Sequence, residues 1–126
     1  MIFGIGTDIV EVDRMRGSLE RHGDAFARRI LTDQEFEQFQ QITHPAHFLA
    51  KRFAAKEAAA KALGTGFRDG LSLRHIGVVS TPQGQPQLVF TERAATLAAE
   101  LGVGEAFLSL ADERTHAIAF VTLLRR

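Results

Sequence analysis

Apolar and polar positions alternate in period along this chain, and the changes of period mark its elements. Residues 2–10 (IFGIGTDIV) are almost wholly apolar, with glycine at 4 and 6. This pattern predicts a buried strand whose glycines allow another backbone to approach closely. Helical spacing follows. Asp13 caps a predicted helix through about His22, with Gly23 at its end, and Asp24 opens a short helical stretch to Leu31. Thr32-Asp33-Gln34-Glu35 has the form of a capping box for a third helix to about Ile42. Pro45 suits the first turn of a fourth helix, about 46–63, whose sequence AHFLAKRFAAKEAAAKAL is rich in strong helix formers and is followed by Gly64. At 1.5 Å per residue that helix is roughly 27 Å long.

After a loop at Gly64–Gly70 the period shortens. His75–Ser80 and Gln87–Phe90 read as strands joined by the turn TPQGQP, and Thr91–Leu101 reads as a helix closed by Gly102. Ala106–Leu110 and His116–Leu124 read as a closing hairpin around a short charged turn. The expected fold is α+β: a mostly antiparallel sheet packed with helices, in one domain spanning 1–126.

Length and composition narrow the classes of function. A folded chain of 126 residues buries roughly two-thirds of its unfolded surface, enough for a core without disulfides or structural metal. The absence of cysteine excludes a disulfide scaffold, a cysteine nucleophile and cysteine-based zinc sites. The N-terminus lacks the form of a signal peptide and no apolar run approaches a membrane span, so a soluble, cytoplasmic protein is expected. Fifteen basic residues balance fifteen acidic ones, and all ten aromatics are phenylalanine. Neither feature suits a nucleic-acid binder, which needs a basic field and stacking platforms.

The zero net charge conceals bands. Residues 1–13 carry −3, 14–29 carry +3, 30–50 carry −3, and 51–61 carry +3 and hold all three lysines. The acidic 30–50 band has no role legible in sequence. The other bands contain the candidate chemistry. Asp8 stands in an apolar segment, where a carboxylate is costly unless paired or metal-bound; a turn or cap at a strand end would equally explain it. Glu57 and Lys61 are four apart on the fourth helix and share a face with Phe53; this spacing is usually an exposed ion pair. The many alanines around them predict a helix smooth enough for close packing or for a ligand to lie along it. If Asp8 and Glu57 meet, two like charges ~4 Å apart repel by about 4 kcal/mol at an effective dielectric of 20, and the pair needs a proton or a cation. With oxygen donors only, Mg²⁺ is the natural ion, with phosphate among its other ligands, and Lys56 and Lys61 would add positive charge for that phosphate. Arg14 and Arg21 share a helix face, with Arg28 beyond the break at Gly23; such a series is a solvated face or a docking surface for an acidic partner.

Other motifs fail. There is no Walker-type phosphate loop and no G-x-G-x-x-G, and Gly64-Thr65-Gly66 alone reads more readily as a helix stop. His44 and His47 straddle Pro45, a poor setting for zinc. No serine stands in a nucleophile elbow.

The same residues carry a family resemblance. GTDIVEV at 6–12 with Arg14 shortly after resembles the N-terminal signature of holo-acyl-carrier-protein synthases, and FAAKEAAAKALGTG at 53–66 resembles the second signature of 4′-phosphopantetheinyl transferases. RILT at 29–32, the GQP turn at 84–86 and SLADERTHAIAFV at 109–121 fit the same family in order and position. The resemblance implies that Asp8 and Glu57 bind Mg²⁺ together with the diphosphate of coenzyme A, and that a serine of apo acyl carrier protein attacks the β-phosphate. The phosphopantetheine arm is then transferred and adenosine 3′,5′-bisphosphate leaves. It implies Glu57 as general base, directly or through a bound water, and Lys61 as the group stabilising the leaving phosphate. Lys56, Lys61, Gly64 and Gly66 fall to coenzyme A binding, and Arg14, Arg21 and Arg28 to the acidic recognition helix of the carrier protein. It also implies a homotrimer with the coenzyme A site between subunits. The chain departs from many members at 111–112, where Ala111 and Asp112 replace a serine and a histidine. A module that binds carrier protein or coenzyme A without chemistry is the alternative.

Overall fold

The long helix organises the molecule. In a computed structural model describing all 126 residues, α4 (Pro45–Leu63) begins on its proline and ends at Gly64, whose φ of 84° is the left-handed conformation that suits glycine. Against it lies a three-stranded antiparallel sheet in the order β1 (Ile2–Glu11), β5 (His116–Arg125), β4 (Val103–Asp112). Along each strand alternate residues turn toward the helix. Gly6 lies opposite Val121, Asp8 opposite Ala119 and Val10 opposite Ala117, and this face packs on α4. Small residues on both sides draw the layers together: Ala54, Ala55, Ala58 and Ala59 of the helix and Ala117 and Ala119 of β5 are fully buried.

The other face of the sheet is open. Ile5, Ile9, Phe107, Ile118 and Phe120 are each more than 40% exposed. The buried strand expected at 2–10 is therefore buried on one face only. Its continuous apolar run matches both faces being apolar, but only one is covered within the chain.

α1 (Val12–His22) continues directly from β1 and packs on α4 through Val12 and Met15. α2 (Asp24–Ile30) and α3 (Asp33–Phe39) follow. The expected capping box is present: Glu35 N donates to Thr32 Oγ1, and Thr32 N donates to Glu35 Oε1. The third helix stops at Phe39, three residues short of the expected Ile42. A 3₁₀ turn at Leu73–His75 leads into the hairpin β2 (Ile76–Ser80) and β3 (Pro86–Phe90), so His75 is turn rather than strand. α5 (Glu92–Leu101) then returns to β4. One core of 31 buried residues joins all the layers, and it includes residues from Val10 to Leu123.

Candidate active site

Asp8 is neither a turn nor a cap. It lies within β1, paired in register with Ala119, and its side chain is on the face that meets α4. What brings it to the helix is the pair of glycines before it. A Cβ on Gly4 would lie 2.1 Å from the Ala62 carbonyl oxygen, and one on Gly6 would lie 2.0 Å from that of Ala58. No side chain fits there, so β1 rests directly on the helix backbone.

This contact sets Asp8 beside the last two turns of α4. Lys61 Nζ donates to Asp8 Oδ1 at 3.1 Å and to the Thr7 carbonyl oxygen at 3.0 Å. The ion pair that an i,i+4 glutamate and lysine usually make along a helix does not form here; Lys61 turns across to the strand instead. Glu57 is half-buried on the same side. Desolvation, then the nearby Asp8 charge, raises its carboxyl above the usual range, and Lys61 opposes the rise. Thus the structure joins Asp8, Glu57 and Lys61 across two elements that are about fifty residues apart in sequence.

The donor set fits a hard divalent ion. Asp8 is near enough for its charge to act on the Glu57 carboxyl, and no group of three histidine, cysteine, aspartate or glutamate side chains makes a protein cage. Mg²⁺ is held in this manner, by one or two carboxylates with the remaining positions left for water and phosphate. A cation there would also relieve the charge that raises Glu57. Lys61 has spent two of its three N–H donors, which leaves one for a phosphate oxygen. Lys61 is the exposed member of the trio, Asp8 is mostly buried and Glu57 half-buried; the larger hollows of the chain are lined by other residues.

Lys56 requires a correction. It is 0% exposed, and its ammonium is bonded to Glu35 at 2.7 Å and to the carbonyl oxygens of Ile76 at 2.6 Å and Leu73 at 3.1 Å. Residues one apart on a helix point about 100° apart, so Lys56 faces the interior while Glu57 faces β1. Lys56 therefore cannot meet a phosphate at Glu57. Burial lowers its pKa, and the Glu35 charge opposes that shift. Sequence reasoning missed Glu35, the partner that gives the acidic 30–50 band a role. The capping box places Glu35 in the first turn of α3, but nothing in it shows the carboxylate turned to the core. Asp33 of the same band pairs with Arg74 at 2.7 Å.

Gly64 and Gly66 follow Lys61 with φ values of 84° and 64°, and the space where their side chains would be is open. Arg14 and Arg21 are exposed on α1. Arg28 is exposed on α2 with its guanidinium 4.0 Å above the Phe36 ring, which holds it in place. Asp112, at the point of departure from the family pattern, lies 3.7 Å from Lys51. His47 Nε2 contacts the Glu113 carbonyl oxygen at 3.1 Å rather than joining His44 in a metal pair.

Comparison with known proteins shows the family. Residues 4–121 match the model of the 4′-phosphopantetheinyl transferase superfamily. A holo-[acyl-carrier-protein] synthase of Nitrosococcus oceani is 61% identical over 124 residues, covering 98% of this chain and 80% of the relative. The crystal structure of holo-[acyl-carrier-protein] synthase from Neisseria meningitidis superposes with a TM-score of 0.94 at 43% identity, covering 99% of this chain and all of that one. A holo-(acyl-carrier-protein) synthase from Bacillus anthracis, in complex with CoA (3′,5′-ADP), superposes with a TM-score of 0.84 at 34% identity, covering 100% and 99% of the two chains. By fold and by sequence, this chain belongs to the 4′-phosphopantetheinyl transferase superfamily, among its holo-acyl-carrier-protein synthases.

Proposed function

We propose that the protein transfers the 4′-phosphopantetheine group of coenzyme A to a serine of apo acyl carrier protein in the cytoplasm, with Mg²⁺, yielding holo acyl carrier protein and adenosine 3′,5′-bisphosphate. The observation that carries this reading is the meeting of Asp8, Glu57 and Lys61. A module that only bound would have no use for two close carboxylates and a lysine. The relative from Bacillus anthracis in complex with CoA supports coenzyme A as the substrate.

Asp8 and Glu57 would hold the ion. When bound, Mg²⁺ neutralises charge on the diphosphate and orients it. Glu57 accepts the proton of the attacking serine, directly or through a bound water. Lys61, tethered to the Thr7 carbonyl, directs its remaining N–H toward a phosphate oxygen, where charge grows as the bond to the leaving nucleotide breaks. Gly64 and Gly66 leave room for coenzyme A to approach the helix end, a role that Lys56 does not share.

Arg14, Arg21 and Arg28 form the docking surface for the acidic carrier protein. The open apolar face of the sheet supports a homotrimer: Ile5, Ile9, Phe107, Ile118 and Phe120 form an exposed patch of a kind that marks an interface.

The test is a mass measurement. Incubation with apo carrier protein, coenzyme A and Mg²⁺ should add one phosphopantetheine arm to the carrier, and EDTA should prevent it. Binding without any mass gain would replace the enzyme by the non-catalytic module.

A further inference from the structure

The Glu35–Lys56 pair is fully buried and fully bonded, yet the proposed chemistry does not use it. Beside its bond to Lys56, Glu35 Oε1 accepts from Thr32 N at 2.9 Å, and Oε2 accepts from Val78 N at 2.8 Å. Lys56 in turn gathers the carbonyls of Leu73 and Ile76. Four stretches of chain thus converge on one ion pair: the start of α3, the middle of α4, the 3₁₀ turn and β2. Such pairs are a poor source of stability, because apolar residues of like volume often serve as well. What this pair supplies is a fixed place.

The chain it fixes is the segment 64–72. That loop leaves the end of α4 beside Lys61 and returns at Leu73, on the residue just before Glu57. Its near end is tied by Gly64 N to Lys61 O at 3.0 Å and by Gly66 N to Ala60 O at 3.3 Å. Midway, Arg93 Nε holds the Asp69 carbonyl at 2.9 Å. Its far end is held by Lys56.

We propose that the Glu35–Lys56 pair is a positioning device for the coenzyme A site: it fastens the return of the 64–72 loop to α4, so that the loop, whose near end α4 already holds at Gly64 and Gly66, is fixed at both ends. Lys56 and Glu57 then divide the work of neighbouring positions on one helix, the first aligning the loop from inside and the second acting on the substrate outside. This inference rests on the proposed transferase reading.

The experiment compares wild type with Lys56→Met, with Lys56→Met/Glu35→Gln, and with Leu49→Ala, a core truncation near the start of α4, about 22 Å along the helix from Gly64. The double variant removes both charges of the pair and should melt closer to wild type than Lys56→Met. Two readouts are taken on each. Hydrogen exchange should quicken at the amides of 64–72 in both Lys56 variants and not in Leu49→Ala. The KM for coenzyme A should rise about tenfold in the double variant, while the KM for carrier protein and kcat change less than about threefold. Leu49→Ala, although destabilised, should keep the wild-type KM for coenzyme A. Unchanged loop exchange, or a coenzyme A KM within about twofold of wild type, overturns the positioning role while leaving the transferase intact. Wild type without transfer activity overturns the transferase reading, and with it the role assigned to the pair.

Discussion

Replacing Gly6 with alanine tests the central geometric claim, that the site exists because β1 lies directly on α4. Gly6 does not have a positive φ, so the substitution adds no backbone strain of its own. The effect is steric. The new methyl would lie 2.0 Å from Ala58 O and 2.7 Å from Ala62 N, both backbone atoms of a helix that cannot give locally. Restoring an ordinary 3.4 Å contact requires the strand to retreat by about 1.4 Å. Overpacking of this kind costs about 1–3 kcal/mol or more. Asp8 is two residues further along the same strand and must retreat with it, away from Lys61 and Glu57. A misplacement near 1 Å costs about 10²-fold in rate. Gly6→Ala should therefore lower Tm by roughly 3–6 °C for each kcal/mol lost and reduce kcat/KM about 10²-fold. Thermal melting and the carrier-protein mass assay measure the two. Gly17→Ala is the stability control: its added methyl meets only the movable Arg21 guanidinium at 3.3 Å, within a helix, and should stabilise by about 0.5–1 kcal/mol. Wild-type melting and activity in Gly6→Ala would refute the close approach as the origin of the site.

Glu57→Gln should abolish transfer while raising stability in metal-free buffer. The Glu57 carboxyl is raised in the folded state, so the folded protein binds more protons than the unfolded chain between the ordinary carboxylate value and the raised one. Wild-type stability falls as pH rises through that window and stays lower above it; the amide variant lacks this slope. Melting with EDTA across pH checks it, and a Tm difference that does not vary with pH would count against the raised carboxyl. Arg14→Ala should raise the KM for carrier protein with little change in kcat, and added salt should weaken carrier binding to wild type more than to the variant; a loss confined to kcat would remove docking from that face. Phe120→Glu places a charge in the centre of the open sheet face and should reduce the light-scattering mass from three chains to one. A monomeric wild type would end the trimer proposal instead.

Local pattern was enough to delimit nearly every element here. Helix starts such as Thr32–Glu35 and stops such as Gly64 depend on backbone groups within a few residues, and those are written in adjacent positions. The carboxylate pair was also legible as a possibility, since Asp8 in an apolar strand and Glu57 on an alanine-rich helix each pose a charge problem that the other could answer with a cation. That the two meet was decided by the glycine–backbone contact at Gly4 and Gly6, whose partners, the carbonyls of Ala58 and Ala62, lie more than fifty residues away.

Lys56 shows the limit most plainly. In sequence, three lysines in one basic band look alike. In the fold, one turns inward to Glu35, one crosses to Asp8 and one stands near Asp112, because 100° of helical rotation per residue sends neighbouring side chains into different surroundings. The composition by itself determined a balanced charge and a core without cysteine. Which charges became a site, which became an internal fastening and which remained at the surface depended on what each met across the packed layers, and that is a property of the tertiary structure alone.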